Sequence, residues 1–123
     1  MVSAGPGAAT RILVVDDEPE IKELVAEVLE SRGYTVFTVD SAEEALEAMR
    51  RSAFDLVISD LHLTGSSGAM LAADIAREWP ALARRMILLT GDPSTLDGEV
   101  PYLQKPFGVD EILSAVAARL SRS

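Results

Sequence analysis

The stretch Phe54-Asp55-Leu56-Val57-Ile58-Ser59-Asp60 decides the fold. Its apolar run, Leu56, Val57 and Ile58, ends abruptly on a carboxylate. Three consecutive β-competent apolar residues between polar groups predict a short strand buried on both faces, as in a parallel sheet. Asp60 then stands at the carboxyl end of that strand, where the ligand and reaction sites of open α/β sheets lie. Taken alone, the segment fits equally an aspartate that only starts a turn, since Asp is a favoured turn residue.

Working outward, the same pattern recurs. Upstream, Arg11-Ile12-Leu13-Val14-Val15 is a second buried-strand candidate that also terminates on acid, at Asp16, Asp17 and Glu18. Pro19 suits a helix start, and Ile21, Leu24, Val25, Val28 and Leu29 follow at helical spacing until Gly33 supplies the stop. Thr35-Val36-Phe37-Thr38-Val39 reads as a strand by its β-branched content. Ser41 with Glu44 three places on forms a capping box for a helix whose narrow apolar face is Ala42, Ala45, Leu46 and Met49.

Downstream of Asp60, a loop rich in Thr, Gly and Ser (Thr64 to Gly68) leads into a helix through Ala72, Ile75, Ala76 and Trp79, which Pro80 closes. Met86-Ile87-Leu88-Leu89 is a fourth strand, ending on Thr90-Gly91-Asp92-Pro93. Val100-Pro101-Tyr102-Leu103 is a weaker fifth strand, because Pro101 lacks a donor and suits an edge. A last helix begins near Asp110, with Ile112, Leu113, Val116 and Leu120 on its apolar side. Five strands alternating with helices predict an α/β fold with a doubly wound, five-stranded parallel sheet.

At 123 residues the chain reads as one domain with room for a real core. Residues 1–10, with Gly5, Pro6, Gly7, Ala8 and Ala9, read as a flexible tail or linker, and residues 11–121 as the domain. Cysteine is absent, which excludes thiolate catalysis and cysteine metal sites. The formal charge of −9 argues against direct contact with nucleic acid or an anionic membrane and favours a basic partner surface or a cation. With no apolar run of membrane-spanning length and no signal-peptide core, the expectation is a cytoplasmic protein.

Parallel strands would gather Asp16, Asp17, Asp60, Thr90 and Lys105 on one rim. Crowded carboxylates raise one another's pKa unless a cation neutralises them, so the cluster asks for a hard divalent ion, and oxygen ligands without His or Cys point to Mg²⁺. A metal beside a carboxylate, with Lys and Thr to contact other oxygens, suits phosphoryl transfer onto that carboxylate. Each member has a plainer explanation: Asp16 and Asp17 could favour a helix N-terminus, Thr90 could be a turn hydroxyl, and Lys105 could be a solvated charge. What favours the site is coincidence, since each falls at or just beyond the end of a different strand. His62, the lone histidine, earns no catalytic role by itself.

The pattern Asp16-Asp17, Asp60 with Gly68 eight residues later, Thr90-Gly91 and Lys105-Pro106-Phe107 resembles the receiver domains of two-component response regulators, over Arg11 to Leu120. The resemblance implies the flavodoxin-like, CheY-like sheet, with residues 11–121 as the receiver. It implies that Asp60 accepts a phosphoryl group from a histidine kinase or a histidine phosphotransfer protein. Asp16, Asp17 and Asp60 would hold Mg²⁺, with the backbone carbonyl of His62 as a further ligand. Lys105 would pair with the acceptor and then with phosphoryl oxygens. Thr90 would move to the phosphate, with Tyr102 swinging inward as it does. Lys105-Pro106 matches the family's cis peptide, and the only chemistry implied is the domain's own aspartyl phosphorylation and dephosphorylation.

The chain departs from the family at two places. Where Met-Pro usually follows the acceptor at the third and fourth positions, this chain has Leu63-Thr64, so the loop loses proline's fixed φ. Between Thr90 and Lys105 there are only fourteen residues, Gly91 to Gln104, including Pro93, Gly98 and Pro101. That leaves room for at most about two helical turns before the fifth strand, so the fourth helix is expected to be reduced or absent. The dimer built on the fourth helix, fifth strand and fifth helix is then not expected in its usual form. Output would use another surface, such as the first helix, or direct phosphoryl relay, in a single-domain regulator or in the receiver of a hybrid kinase. His62 and Asp92, each two residues beyond a site residue, border the path of hydrolytic water and are candidates for tuning dephosphorylation, with solvated loop residues as the plain alternative.

Two other classes stand beside this one. A metal-dependent phosphohydrolase of the haloacid dehalogenase type uses similar groups, but carries a second Asp where this chain has His62, and needs a cap for which there is little length. A module that binds partners without phosphorylation would keep the fold and ignore Asp60.

Overall fold

The computed structural model describes residues 10–63, 66–96 and 101–121. Five strands form one parallel sheet: β1 (Arg11–Val15), β2 (Thr35–Val39), β3 (Leu56–Asp60), β4 (Met86–Thr90) and β5 (Tyr102–Gln104), in the spatial order β2-β1-β3-β4-β5. This is the flavodoxin-like doubly wound order. A two-residue antiparallel ladder, His62–Leu63 with Ser66–Ser67, follows β3. Residues 1–9 of the expected tail 1–10, and Thr64, Gly98 and Val100, lie outside the described residues.

Alternation along the strands sets the two layers. Leu13, Val15, Val57, Met86 and Leu88 point to one face, where they meet α2 (Ala42–Arg51) and α3 (Gly68–Glu78) through Ala45, Met49, Leu71 and Ile75. Ile12, Val14, Leu56, Ile58, Ile87 and Leu89 point to the other, against α1 (Pro19–Glu30) and the last helix (Val109–Leu120) through Val25, Leu29, Ile112 and Val116. Because β1, β3 and β4 are covered on both sides, their sequences are continuous apolar runs rather than alternating ones.

Local chemistry sets the helix ends. Ser41 Oγ accepts the Glu44 N–H (3.1 Å), while the Glu44 carboxylate reaches one residue further back than a standard box, to the Asp40 N–H (2.8 Å). Gly33 ends α1 with φ +91°, a conformation that side chains with a Cβ rarely adopt.

Three details differ from the sequence expectation. In α1, Leu24 is 45% exposed, because the buried face is the row through Val25 and Leu29. In α3 the buried seam is Gly68, Leu71 and Ile75; Ala76 is exposed, and Trp79 has left the helix as its C-cap. Pro80 does close α3, but its fixed φ also suits a first helical position, and it opens a single turn, Pro80–Ala83. Among the described residues the fifth strand is Tyr102–Gln104 and leaves out Pro101, which has no N–H for the ladder; only its carbonyl joins β4, accepting the Leu88 N–H at 2.9 Å.

The fourth crossover carries a reduced helix. Its described residues contain only the 3₁₀ turn Pro93–Thr95, capped by Asp92 Oδ1, which accepts from the Ser94 N–H (3.1 Å) and Oγ (2.6 Å). Leu96 follows in extended conformation, with φ −79° and ψ 140°, and ends the turn.

Candidate functional site

Parallel strands present all their carboxyl ends along one edge, and the candidate residues meet there. Asp16 follows β1, Asp60 is the last residue of β3, Thr90 the last of β4, and Lys105 follows β5. Three of them are buried polar groups: Asp16 is 0%, Asp60 6% and Thr90 1% exposed. One carboxylate oxygen from each of Asp16, Asp17 and Asp60 can be chosen so that all lie within 4.8 Å of one another.

Backbone contacts hold these groups. Asp16 Oδ1 accepts the Glu18 N–H (2.8 Å), an Asx turn that swings the chain from β1 into α1. The Leu61 N–H donates to the Leu89 carbonyl (2.8 Å), which continues the β3–β4 pairing past Asp60. Ser59 Oγ donates to the Asp60 carbonyl (2.9 Å). Gly68 packs against the same carbonyl so closely that a Cβ there would lie 2.5 Å from the Asp60 oxygen. Its place eight residues after Asp60 is therefore a packing requirement.

Lys105 is the local cation. Its Nζ lies 3.1 Å from Glu18 Oε1, 3.4 Å from Asp60 Oδ2 and 3.7 Å from Asp16 Oδ2. Burial pulls the ammonium pKa down, but the Glu18 hydrogen bond and the charges of Asp60 and Asp16 outweigh it, and the pKa is raised above its ordinary value. The Lys105 N–H donates to the Thr90 carbonyl (2.7 Å), which ties its backbone to β4. The Lys105-Pro106 peptide is cis.

Asp16 is the least compensated group. Burial raises its carboxyl pKa, the Glu18 N–H opposes this, and the Asp60 charge adds to the rise. Its Oδ2 is buried with no hydrogen-bond partner among the described residues. A buried carboxylate oxygen without a hydrogen bond, in a three-carboxylate cluster, fits a hard divalent cation, whose ligands are oxygens of this kind.

The remaining candidates lie around this centre. Thr90 Oγ1 accepts the Asp92 N–H (3.0 Å). Tyr102 is 49% exposed at the sheet edge, in register with Leu88. His62 is exposed on the short ladder opposite Ser67. The Asp92 carboxylate is engaged by Ser94, and these hydrogen bonds lower its pKa. Sequence reasoning noted Glu18 as part of an acidic run but gave it no role; it makes the shortest of the Lys105 ion pairs. Its place two residues after Asp16, just before Pro19, was the available signal.

The response regulator receiver domain family matches residues 12–117. Among curated relatives, the regulatory protein VanR of Enterococcus faecium is 38% identical over 91% of this chain and 50% of its own length. The DNA-binding response regulator MtrA of Mycolicibacterium smegmatis is 35% identical over 92% of this chain and 51% of its own. The chain thus spans about half the length of these relatives. Among solved structures, the response regulator TrrA of Thermotoga maritima, determined in complex with Mg²⁺-BeF, superposes with a TM-score of 0.80 at 38% identity, covering 90% of this chain and 99% of that one. The receiver domain of NtrX from Brucella abortus gives 0.84 at 32% identity, covering 91% and 99%.

Proposed function

The chain belongs to the response regulator receiver domain family, and from that premise we propose that Asp60 accepts a phosphoryl group from a histidine kinase or a histidine phosphotransfer protein and so switches the domain. One observation carries this reading: Lys105 Nζ stands 3.4 Å from Asp60 Oδ2 while the three aspartates converge within 4.8 Å. The Asp60 carboxylate attacks phosphorus, the bond to the donor's imidazole nitrogen breaks, and the imidazole leaves. Lys105 offsets the phosphoryl charge as it arrives. Thr90, whose hydroxyl accepts the Asp92 N–H, turns to the phosphate, and Tyr102 follows inward from its exposed position.

Asp16, Asp17 and Asp60 would hold Mg²⁺, with the His62 backbone carbonyl as a further ligand. When bound, Mg²⁺ supplies positive charge against the phosphoryl oxygens. TrrA, determined with Mg²⁺-BeF, supports the cofactor by similarity. The domain catalyses only its own phosphorylation and dephosphorylation, with His62 and Asp92 bordering the water path. Its charge of −9 speaks against direct DNA or membrane contact by this domain. The reduced fourth crossover removes part of the usual dimer face, so output runs through another surface or phosphoryl relay. No helix among the described residues is long and apolar enough to cross a membrane.

The test is intact mass after incubation with acetyl phosphate and Mg²⁺. A Mg²⁺-dependent gain of one phosphoryl group that Asp60→Asn abolishes supports the reading. No adduct in either protein, with turnover excluded by beryllofluoride trapping, would favour an interaction module that works without phosphorylation.

A further inference from the structure

At the opposite edge of the sheet, where β3 and β4 begin, an open cleft of ≈ 590 Å³ lies between the end of α2 and the Trp79–Leu82 turn. Its apolar wall includes Phe54, Trp79 and Leu82, all packed against the core beneath α2 and α3. Phe54 is held in place: its ring meets Phe37 edge-to-face at 5.6 Å, and the Arg11 guanidinium stands 5.4 Å from its centroid. Arg50, Arg51 and Arg85 supply the charged part of the lining.

That charge distribution runs against the rest of the molecule. The chain carries −9 overall and gathers its buried acids at the other end of the strands, yet this cleft has three arginines and no acidic residue in its lining. Arg11 adds a fourth cation nearby, with Nε donating to the Ala53 carbonyl at 2.9 Å. Arg50 and Arg51 meet Glu78 and Glu47 only at 3.7 Å, and both arginine side chains are more than half exposed. Such contacts are weak and are readily exchanged for a better-placed anion. The volume falls within the roughly 300–1,000 Å³ typical of small-molecule sites, which combine an apolar wall with a few polar groups that fix orientation.

We propose that this cleft binds an amphipathic organic anion, an aromatic or branched-chain carboxylate. Its apolar part lies against Phe54, Trp79 and Leu82, and its carboxylate pairs with the arginine rim. β3 runs from Leu56, beside the cleft, to Asp60, about 13 Å at the rise of an extended strand, so this site is distinct from the acidic edge.

Trp79 is the chain's only tryptophan and reports on the cleft directly. The experiment is a titration of its emission in the full chain with 4-phenylbutyrate, and in parallel with the neutral 4-phenylbutyramide. The expected result is saturable binding of the carboxylate with a Kd of about 0.1–1 mM, in keeping with the ligand efficiency of a small probe. The amide, and the triple variant Arg50→Gln, Arg51→Gln, Arg85→Gln, should bind about tenfold more weakly, as expected for loss of a charge-assisted pair. Ala53→Phe, which fills the cleft from an exposed position, should abolish the response. A response that does not saturate, an amide that binds as well as the acid, or unchanged affinity in the arginine variant would each overturn the proposal.

Discussion

Asp16→Asn should stabilise the metal-free protein and remove its response to Mg²⁺. Asp16 is fully buried, and its Oδ1 takes one hydrogen bond from Glu18, a bond that an Asn oxygen retains. Oδ2 has no hydrogen-bond partner among the described residues. A buried acceptor in that condition costs about 1–3 kcal/mol, and more if charged. Lys105, at 3.7 Å, returns part of this, which leaves a net gain of about 1–2 kcal/mol for Asn, or roughly 3–5 °C per kcal/mol in Tm at this size. The sign with pH follows from the raised Asp16 pKa. The wild-type penalty is full above the folded pKa, shrinks as pH falls toward the ordinary value of 3.8, and vanishes below it, so the advantage of Asn should fade over that window. Mg²⁺ at a hundredfold excess over its Kd should stabilise wild type by about 2.7 kcal/mol and leave Asp16→Asn nearly unchanged, reversing their order. Urea unfolding in EDTA and in Mg²⁺ at several pH values measures all of this. An Asn variant less stable than wild type in EDTA, or one that gains as much from Mg²⁺, would refute the account of Oδ2 as a ligand awaiting a cation.

Gly68→Ala should cost about 1–3 kcal/mol by overpacking, because the new Cβ would meet backbone at the Asp60 carbonyl; it should also slow acetyl phosphate labelling, and both are read by urea unfolding and intact mass. Lys105→Met should slow Asp60 labelling at least about tenfold by removing the cation 3.4 Å from the acceptor, a loss readable by single-turnover mass analysis. The stability that Lys105 contributes should persist below its ordinary pKa of 10.5 and fall away as pH rises through the raised folded value, an alkaline loss that Lys105→Met should lack. Ser41→Ala should cost about 1 kcal/mol in urea unfolding through loss of the Glu44 N–H cap, with phosphorylation unaffected.

The chain's own residues made most of the fold legible. Leu56-Val57-Ile58 and Met86-Ile87-Leu88-Leu89 are continuous apolar runs, and only strands covered on both faces tolerate that pattern. Gly33, Ser41 and Pro80 gave helix boundaries because each acts through its own backbone or side chain. Less legible were features set by remote neighbours. The seam of α3 through Leu71 rather than Ala76 depends on how the helix lies against β3 and β4, and a row of small residues offers little periodicity to read. The start of β5 depends on which Pro101 group β4 can pair with.

The candidate site divides along the same line. By itself the sequence determined which residues carry charge and hydroxyl at strand ends, because strand lengths and parallel connections are local in origin: Asp16, Asp17, Asp60, Thr90 and Lys105 were all evident there. Only the tertiary structure decided that Glu18 turns back to Lys105, that Asp16 Oδ2 has no hydrogen-bond partner among the described residues, and that Gly68 presses on the Asp60 carbonyl. It also gathered arginines and aromatic residues from α2, β1 and the Trp79 turn at the far edge of the sheet. Distances between side chains from different strands are fixed by strand order and register, and neither is written in any one segment.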